Sequence, residues 1–474
     1  MQRRASRWWL PGGVWVAASA LFVLAILWVQ WAHPDAVIEG FKLRAESSDS
    51  AWQTIRLSEM FTYGPSTLWW MHIYPPLYDG IRYLLMQPEV LAGKGPDPAS
   101  VDFRLYGISA LLFGFVSMVV FIWVRDLTRS RAWGIIGAAL WVIAPASLSF
   151  MILLNQTGLA LATMAVAFYL LYRFCRTRRN VYAYWFFIAI FIASLTRNVV
   201  QIHVYVVIVI SAIAFWRMGR PRLWRALVVN LFLIALIGFW PARAYVLYDT
   251  FDVSTHTGYN RAGALWINPL EVPTPTTYPA NIVENATKLS SAFNTQETMK
   301  DNYRLGNAAN DLVIHHPVQA INNAVKSLSF TVPTMFRSVY IQWYNSFDFA
   351  FPLTRSLDWI FSGWRFATLI LGSWVIIIRH FGLRGTLNRF RRYGWFAAFW
   401  ILTAIPVFLS NRYWPPEVPE PVHSEADRLR GLIDVPVYVL MTFAAWIVFT
   451  WIRRRFFRGR IPKSPVPIES SPLP

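Results

Sequence analysis

The sequence predicts an all-α polytopic membrane protein with about ten transmembrane helices, juxtamembrane helices in the first outer loop and a larger outer loop domain. Hydrophobic residues make up 55% of the 474 residues, and charged residues only 15%. Apolar windows of about 20 residues, the length that crosses about 30 Å of hydrocarbon, recur along most of the chain. Arginine clusters separate these windows, as is typical of cytoplasmic loops.

The arginine clusters also predict the orientation of the chain. Arg3, Arg4 and Arg7 precede the first apolar window and place the N-terminus inside. The net charge of +19 follows the same loops, so it indicates topology and anionic lipid headgroups rather than a nucleic-acid partner. A basic N-terminus before an apolar run also occurs in signal peptides. The run from Gly13 to Ala32 is long for that role and lacks a convincing small-x-small cleavage site, so we expect a retained helix.

The predicted spans place both termini in the cytoplasm and divide the chain into four parts. The spans cover residues about 13–32, 105–124, 133–152, 158–174, 183–196, 199–216, 226–247, 358–378, 395–410 and 434–452. The parts are an N-terminal transmembrane module (1–248) containing the first outer loop (33–104), an outer loop domain (249–355), C-terminal transmembrane helices (356–460) and a disordered tail (461–474).

Two regions outside the membrane have predictable features. The first outer loop contains two expected surface helices, about 50–63 and 76–87, around a Gly-Pro breaker. The outer loop domain is long for a connection, which favours a functional role, and a helix is expected to start at His316-Pro317. The single Cys175 excludes an internal disulfide framework, and its arginine-rich surroundings place it on the reducing side.

The first candidate site residue is an acid just after the first span. Glu46-Ser47-Ser48-Asp49 lies in a polar run, and an aromatic segment, Trp69 to Tyr78, follows it. A carboxylate held at a membrane surface beside aromatic rings can act as a base on a hydroxyl or an amine. Asp49 can equally be the N-cap of a helix that begins at Ser50. The residues alone leave both interpretations open.

Further polar residues fall near outer helix ends, where folding can bring them together: Glu46, Asp49, Arg104, Asn155, Gln156, Arg197 and Arg428. An ionisable residue at membrane depth is costly and indicates function, but Arg197 can also snorkel to lipid headgroups. Arg428, with Arg430, can clamp a phosphate or simply pair with nearby acids. The adjacent His315 and His316 do not share a helix face, so no metal site is expected. Nucleotide-binding signatures are absent from the sequence.

Several short motifs occur in a recognisable order. These are the basic N-terminus, one span, the acid Asp49, Tyr74-Pro75-Pro76-Leu77, Arg104 opening the second span, Leu195-Thr196-Arg197, His316-Pro317, and Arg428-Leu429-Arg430 ahead of Pro436. In this order they resemble the glycosyltransferase C superfamily, in the branch of protein O-mannosyltransferases and lipid A aminoarabinose transferases (glycosyltransferase family 39-like). The chain departs from the family pattern at Ser50, where a second acid is usual, at Tyr74, which replaces a histidine, and at Asn155-Gln156, where some relatives have an aspartate.

The resemblance implies an inverting transfer of a hexosyl or pentosyl group from a polyprenyl-phosphate carrier. The acceptor is a glycan, a lipid or a protein at the outer face of the cytoplasmic membrane, and no cofactor is needed. Asp49 is implied as the catalytic base, with Glu46 as a nearby second acid. Arg197 or Arg428 is implied to offset the charge on the leaving phosphate. The other implied substrate-binding residues are Tyr74, Arg104, Asn155 and Gln156.

Two other functions are compatible with many spans and intramembrane arginines. One is a transporter or lipid flippase without transferase activity. The large outer domain and the absence of a detectable inverted repeat in the sequence favour an enzyme instead. The other is an enzyme similar to O-antigen ligases, whose key loop is late in the chain. The acid after the first span argues against it.

Overall fold

The structure is a computed structural model that describes residues 9–32, 37–38, 41–42, 47–50, 54–72, 74–152, 154, 156–197, 223–251, 254, 256–289, 294–335, 360, 363–408, 411–413, 422–424 and 431–456. These residues are mainly helical. In the first half the helices are α1 (Trp9–Ala32), α2 (Ser47–Ser50), α3 (Leu57–Tyr63), α4 (Ser66–Trp70), α5 (Leu77–Leu85), α6 (Gln87–Leu91), α7 (Pro98–Thr128), α8 (Arg131–Ile143), α9 (Pro145–Ile152), α10 (Gln156–Thr177), α11 (Asn180–Ser194) and α12 (Leu223–Tyr248).

The second half continues the helical pattern and adds little sheet. Its helices are α13 (His256–Ala264), α14 (Ala280–Asn285), α15 (Gln296–His315), α16 (Pro317–Met335), α17 (Gly363–Arg392), α18 (Gly394–Phe408) and α19 (Gly431–Phe456). Two short antiparallel ladders join β1 (Val37–Ile38) to β2 (Phe41–Lys42), and β3 (Asn411–Tyr413) to β4 (Val422–Ser424). Helix α16 begins at Pro317, as the sequence predicted.

The chain is a multi-pass membrane protein by the length and composition of its helices. Within the described residues, five segments are long and apolar enough to cross a membrane: Trp9–Trp28, Pro98–Thr128, Gln156–Thr177, Trp364–Asn388 and Leu432–Phe456. Three apolar segments are shorter: Arg131–Ile143, Asn180–Ser194 and Gly394–Ile405. The sixth predicted span, 199–216, lies outside the described residues. Ten spans therefore remain a prediction, as does the sidedness of the termini.

The third predicted span is divided in the structure. Helix α8 ends at Ile143, and α9 begins at Pro145. Ala144 between them is extended, with φ −67° and ψ 127°. Proline disfavours helical geometry in the residue before it and has no N–H to donate, so Pro145 interrupts an apolar run that hydropathy treats as continuous.

Helix α7 is central to the bundle, because it contacts α1, α8, α10 and α19. A glycine allows α1 to approach it closely. A Cβ atom at Gly114 would lie 2.2 Å from the Ser19 hydroxyl oxygen and 2.5 Å from the Trp15 carbonyl oxygen. Trp15 also donates from its indole nitrogen to the carbonyl of Leu111 at 3.0 Å. Backbone contact of this kind, through small residues, is typical of helix pairs in membranes.

The loop that the sequence predicts to lie outside, the first outer loop, has its own apolar core. Ile55, Met60 and Met71 are fully buried and cluster with Leu105 of α7 and Trp240 of α12. The predicted surface helix 50–63 therefore does not have the expected form. A shorter helix starts at Leu57, and its apolar side packs onto the bundle instead of onto lipid headgroups. The loop is thus a folded layer over one end of α7.

Candidate active site

The segment carrying Asp49 is anchored to the next helix. Asp49 lies in α2, with 25% of its side chain exposed, and its Oδ1 accepts a hydrogen bond from the backbone N–H of Leu57. Arg56, the N-cap residue of α3, makes no side-chain capping bond, so Asp49 takes over that role. Asp49 therefore caps the N-terminus of α3, and it is not the N-cap of a helix that starts at Ser50. The Oδ2 atom of Asp49 has no hydrogen-bond partner within the described ranges.

Arg82 of α5 makes several polar contacts with the segment that carries Asp49. Its guanidinium is completely buried. Nη1 donates to the carbonyl of Ile55 at 2.6 Å and to Oδ1 of Asp79 at 2.7 Å. Nη2 donates to the carbonyl of Ser48 at 2.6 Å and lies 3.9 Å from Oδ1 of Asp49. One arginine therefore connects the chain before Asp49 to the chain after it.

Two further side chains fix the peptide groups of Ser48. The backbone N–H of Ser48 donates to both carboxylate oxygens of Asp102, each at 3.2 Å. The hydroxyl of Thr54 donates to the carbonyl of Ser48 at 2.7 Å. Because Asp102 belongs to the first turns of α7, the Asp49 segment is tied directly to the central helix of the bundle.

The protonation behaviour of this cluster reflects its burial. Burial raises the pKa of Asp79, and the adjacent Arg82 guanidinium opposes that shift. Burial also raises the pKa of Tyr78 well above its ordinary value. The Tyr78 hydroxyl is buried and has no partner in the part of the chain that the structure describes. Such an atom is uncommon in a native interior, where most buried polar groups have a hydrogen-bond partner.

The Tyr-Pro-Pro-Leu motif joins the outer loop to the bundle. Tyr74 is buried, with 4% of its surface exposed. The backbone N–H of Leu77, which starts α5, donates to the carbonyl of Leu195 at 3.1 Å. The two motifs that were separate in the sequence, Tyr74 to Leu77 and Leu195 to Arg197, are therefore neighbours.

Arg197 lies inside the protein, just beyond the end of α11. Only 1% of its surface is exposed, so it does not snorkel to headgroups. Its Nη1 donates to the hydroxyl of Thr157 at 3.0 Å. Gln156, beside Thr157 at the start of α10, is also buried, and its Oε1 has no partner among the residues described. Arg197 and Gln156, both predicted site residues, thus occupy the same end of the bundle.

Arg104 is engaged elsewhere in the loop. Its Nη1 and Nη2 donate to the two carboxylate oxygens of Glu89 at 2.8 and 2.6 Å, and Nη1 also contacts the carbonyl of Leu85. These hydrogen bonds lower the pKa of Glu89 to about 2. A substrate would have to compete with this bidentate pair, and substrate binding by Arg104 stays a prediction.

Sequence reasoning missed a second buried arginine, Arg243 of α12. Its guanidinium donates to the carbonyls of Trp69 and Met71, the latter at 2.6 Å, and lies 4.2 Å from the ring centre of Trp240. These contacts hold the aromatic segment of the first outer loop against α12. The only available signal was an arginine near the outer end of an apolar span.

His72 lies within that aromatic segment and was also missed. Its ring is buried, and neither ring nitrogen has a hydrogen-bond partner in the described part of the chain. Burial, reinforced by the positive charge of Arg243, lowers the pKa of His72 to about 3, so the ring is neutral at pH 7. The backbone N–H of His72 donates to the side chain of Asn294 at 2.9 Å, which links the loop to the outer domain.

Three predicted site residues, Glu46, Asn155 and Arg428, lie outside the described residues. Among the residues that are described, no cluster of three or more histidine, cysteine, aspartate or glutamate side chains is arranged to hold a metal ion. The fold and the site together define a helical membrane protein with an anchored, partly exposed carboxylate at one end of its bundle.

Comparison with known proteins adds little to this description. No protein family model matches the chain, and no curated protein matches it. The crystal structure of ArnT from Cupriavidus metallidurans in the apo state is similar with a TM-score of 0.32 and 13% identity, over 95% of this chain and 81% of that chain. The structure of ArnT from the same organism bound to undecaprenyl phosphate gives a TM-score of 0.30 and 14% identity, over 94% and 81%. TM-scores this low do not establish a shared fold, so the function of this chain has to be inferred from its own residues.

Proposed function

We propose that the protein is an integral-membrane glycosyltransferase that moves a sugar from a polyprenyl-phosphate carrier to an acceptor at the outer face of the cytoplasmic membrane. The observation that carries this proposal is the carboxylate of Asp49. Its Oδ1 is anchored by Leu57, its Oδ2 has no hydrogen-bond partner among the described residues, and 25% of the side chain is exposed. A general base needs an accessible lone pair in a fixed direction, and this arrangement supplies both.

The reaction follows from that geometry. Oδ2 of Asp49 accepts the proton of the acceptor hydroxyl or amine as the acceptor atom attacks the anomeric carbon. The bond between the anomeric carbon and the phosphate oxygen breaks, and the phosphate leaves with the electron pair. Attack opposite to the leaving group inverts the anomeric configuration. Glu46, three residues before Asp49, is the second acid of the proposal.

The leaving phosphate gains negative charge, which a nearby cation stabilises. Arg197 is a buried cation whose helix end is linked to the loop through the hydrogen bond between Leu77 and Leu195. Arg428 is the second proposed phosphate ligand. Tyr74, Arg104, Asn155 and Gln156 remain proposed substrate-binding residues. The proposal needs no cofactor.

The donor follows from the proposed sidedness. Arginine-rich loops are expected on the cytoplasmic side, and the first outer loop with Asp49 is then on the other side of the membrane. A site there has no access to nucleotide sugars made in the cytoplasm. The sugar must then arrive on a lipid carrier. The acceptor can be a glycan, a lipid or a protein, and membrane lipids surround the protein.

The experiment is transfer in reconstituted vesicles that contain the purified protein. The vesicles receive either a polyprenyl-phosphate sugar or a nucleotide sugar, and release of free polyprenyl phosphate and formation of a glycosylated product are followed by mass spectrometry. We expect both products with the lipid-linked donor only. Turnover with the nucleotide sugar alone would exclude the proposal, and uptake of substrate without any glycosylated product would favour a transporter or flippase.

Binding of the donor phosphate is tested with the same vesicles. Arg197→Ala and Arg428→Ala should weaken binding of polyprenyl phosphate more than they lower thermal stability, because each removes a proposed charge-assisted contact. Unchanged binding in both variants would remove these two residues from the proposal.

A further inference from the structure

We infer that Arg82 is the positioning residue for Asp49: it joins the chain on either side of Asp49 and so sets the direction of the open Oδ2 atom. This inference rests on the proposed function, because it takes Asp49 to be the base. Arg82 itself is completely buried and does not reach a substrate. It would act only through the carboxylate that it holds in place.

The contacts of Arg82 control both points that orient Asp49. On one side, Nη2 holds the carbonyl of Ser48, the residue directly before Asp49. On the other side, Nη1 holds the carbonyl of Ile55, and Leu57, whose N–H binds Oδ1 of Asp49, follows shortly after. A planar guanidinium with donors in a fixed fork keeps its two carbonyl partners at a fixed separation.

Asp79 completes this arrangement. It lies one turn before Arg82 on α5, and its Oδ1 accepts both from Nη1 of Arg82 at 2.7 Å and from the backbone N–H of Ile55 at 3.4 Å. The pair therefore binds the N–H and the C=O of the same residue, Ile55. Asp79 also fixes the rotation of the guanidinium, so that Nη2 is directed to Ser48.

Stability alone does not account for a buried ion pair at this place. Burying a guanidinium and a carboxylate costs free energy that their attraction only partly recovers, and apolar replacements of such pairs are often neutral or stabilising. Here the Nε of Arg82 also has no hydrogen-bond partner within the described residues. The contribution of Arg82 that an apolar side chain cannot reproduce is the fixed geometry of Ser48 and Ile55 around Asp49.

The outer domain offers a matched control. Arg304 of α15 donates to the carbonyls of Pro269 and Val272 at 3.0 and 2.7 Å, and its Nη2 lies 3.1 Å from Oδ1 of Asp301. Like Arg82, it joins two backbone carbonyls and an aspartate one turn away, but it makes no contact with the Asp49 segment. Arg304→Lys therefore measures the effect of losing this set of contacts at a place where no reaction is proposed.

The test compares Arg82→Lys with Arg304→Lys in the vesicle assay. Lysine keeps the charge but replaces the planar fork by one flexible ammonium group, so it cannot hold Ser48 and Ile55 at a fixed separation. For Arg82→Lys we expect kcat to fall about 10²-fold, the scale of a small misplacement of a reacting group. The KM for the lipid-linked sugar should stay within about 2-fold, because donor binding is untouched. Arg304→Lys should leave kcat and KM unchanged.

Hydrogen exchange gives a second readout that does not depend on transfer. In Arg82→Lys the amide of Leu57 should exchange faster, whereas amides of α15 should keep their wild-type rates. In Arg304→Lys the amides of α15 should exchange faster, whereas the amide of Leu57 should keep its wild-type rate. If Arg82→Lys fails to fold, Asp79→Asn takes its place, since it preserves size but weakens the orientation of Arg82, and it should show a smaller fall in kcat with the same exchange pattern.

Wild-type kcat together with wild-type exchange at Leu57 in Arg82→Lys, or in Asp79→Asn where that variant replaces it, would overturn the inference. A fall in the transfer rate of Arg82→Lys that disappears when the rate is expressed per folded molecule would also overturn it. Failure of the proposed function is distinct, because the wild-type protein would then transfer no sugar. In that case unchanged exchange at Leu57 would still refute the positioning role, and faster exchange would support it.

Discussion

Helix α7 carries an aspartate-centred cluster near each of its ends, and the two clusters differ in how completely their carboxylates are bound. Near the C-terminal end, Oδ2 of Asp126 accepts from Arg173 at 2.7 Å and from the Tyr169 hydroxyl at 3.3 Å, while Oδ1 accepts from Arg125 at 3.4 Å. Near the N-terminal end, Asp102 holds Ser48, and Oδ2 of the neighbouring Asp49 has no hydrogen-bond partner within the part of the chain that the structure describes.

The cluster around Asp126 is closed on itself. Arg173 also donates to the Tyr182 hydroxyl at 2.8 Å, and Arg176 donates to the carbonyl of Asp126 at 2.7 Å. These contacts join α7, α10 and α11, and both oxygens of the Asp126 carboxylate are occupied. The comparison teaches that charge and burial alone do not identify a reactive site. A carboxylate that is fixed but keeps one oxygen accessible is the more informative sign.

The two ends of α7 should lie on opposite sides of the membrane. Reporter fusions near Lys94 and Asn302 should give an outer signal, and fusions after Arg131, Arg179, Arg225 and Arg392 a cytoplasmic one, because arginine-rich loops stay inside. This effect is all or none. A cytoplasmic signal at Asn302 would contradict both the ten-span topology and the outer location of Asp49.

The helix that carries both clusters is packed against α1 at its middle, and this packing should contribute to stability. Gly114→Ala places a methyl group 2.2 Å from the Ser19 hydroxyl oxygen, so α1 must move away, at a cost of about 1–3 kcal/mol. Gly107→Ala on the same helix meets nothing within 4 Å and is expected to be neutral or to stabilise by less than about 1 kcal/mol. Thermal unfolding of the purified variants measures both. Equal unfolding temperatures would show that the close approach of α1 is not needed.

Glu89, an acid of the first outer loop, is paired with Arg104, and this pair should make the stability of the protein depend on pH. The pKa of Glu89 is lowered from 4.5 to about 2 by its hydrogen bonds with Arg104. Its stabilising effect is therefore complete above pH about 4.5 and is lost as the pH falls towards 2. Because Arg104 keeps 31% of its side chain exposed, solvent screening limits the effect to about 1 kcal/mol or less.

Glu89→Gln measures this contribution. The difference in unfolding temperature between wild type and Glu89→Gln should be constant near neutral pH and should shrink as the pH falls below about 4.5. A difference that grows on acidification would contradict the ion pair.

The sequence predicted the parts of the fold that depend on local composition. Apolar length and flanking arginines predicted α7, α10 and α19 with small shifts at their ends. The interruption at Pro145 was missed because mean hydropathy over a window carries no information on the missing N–H of proline or on its effect on the preceding residue. The first outer loop was only partly predicted, since Ile55 and Met60 form a stripe that fits a membrane surface as well as a protein core, and only the position of α7 decides between them.

The sequence pointed to two candidate site residues but not to the side chains that hold them. Asp49 is a candidate because it follows the first span, and Arg197 because it is isolated between apolar runs. Arg82 and Arg243 were not predicted, because an arginine on a short loop helix or at a span end normally faces water or headgroups. Their burial arises from contacts between residues far apart in the chain, such as Arg243 with Trp69, which no local pattern contains.

The most direct test of the central claim is the same substitution in the two clusters near the ends of α7, at Asp49 and at Asp126, measured as sugar transfer per folded molecule in reconstituted vesicles. In Asp49→Asn the side-chain oxygen can still accept from Leu57, but it cannot take a proton, so we expect transfer to fall by about 10²- to 10⁴-fold with normal folding. Asp126→Asn should unfold at a lower temperature yet keep wild-type transfer. Because asparagine caps a helix about as well as aspartate, wild-type transfer by Asp49→Asn would mean that Asp49 is only a cap, and would contradict its role as the base.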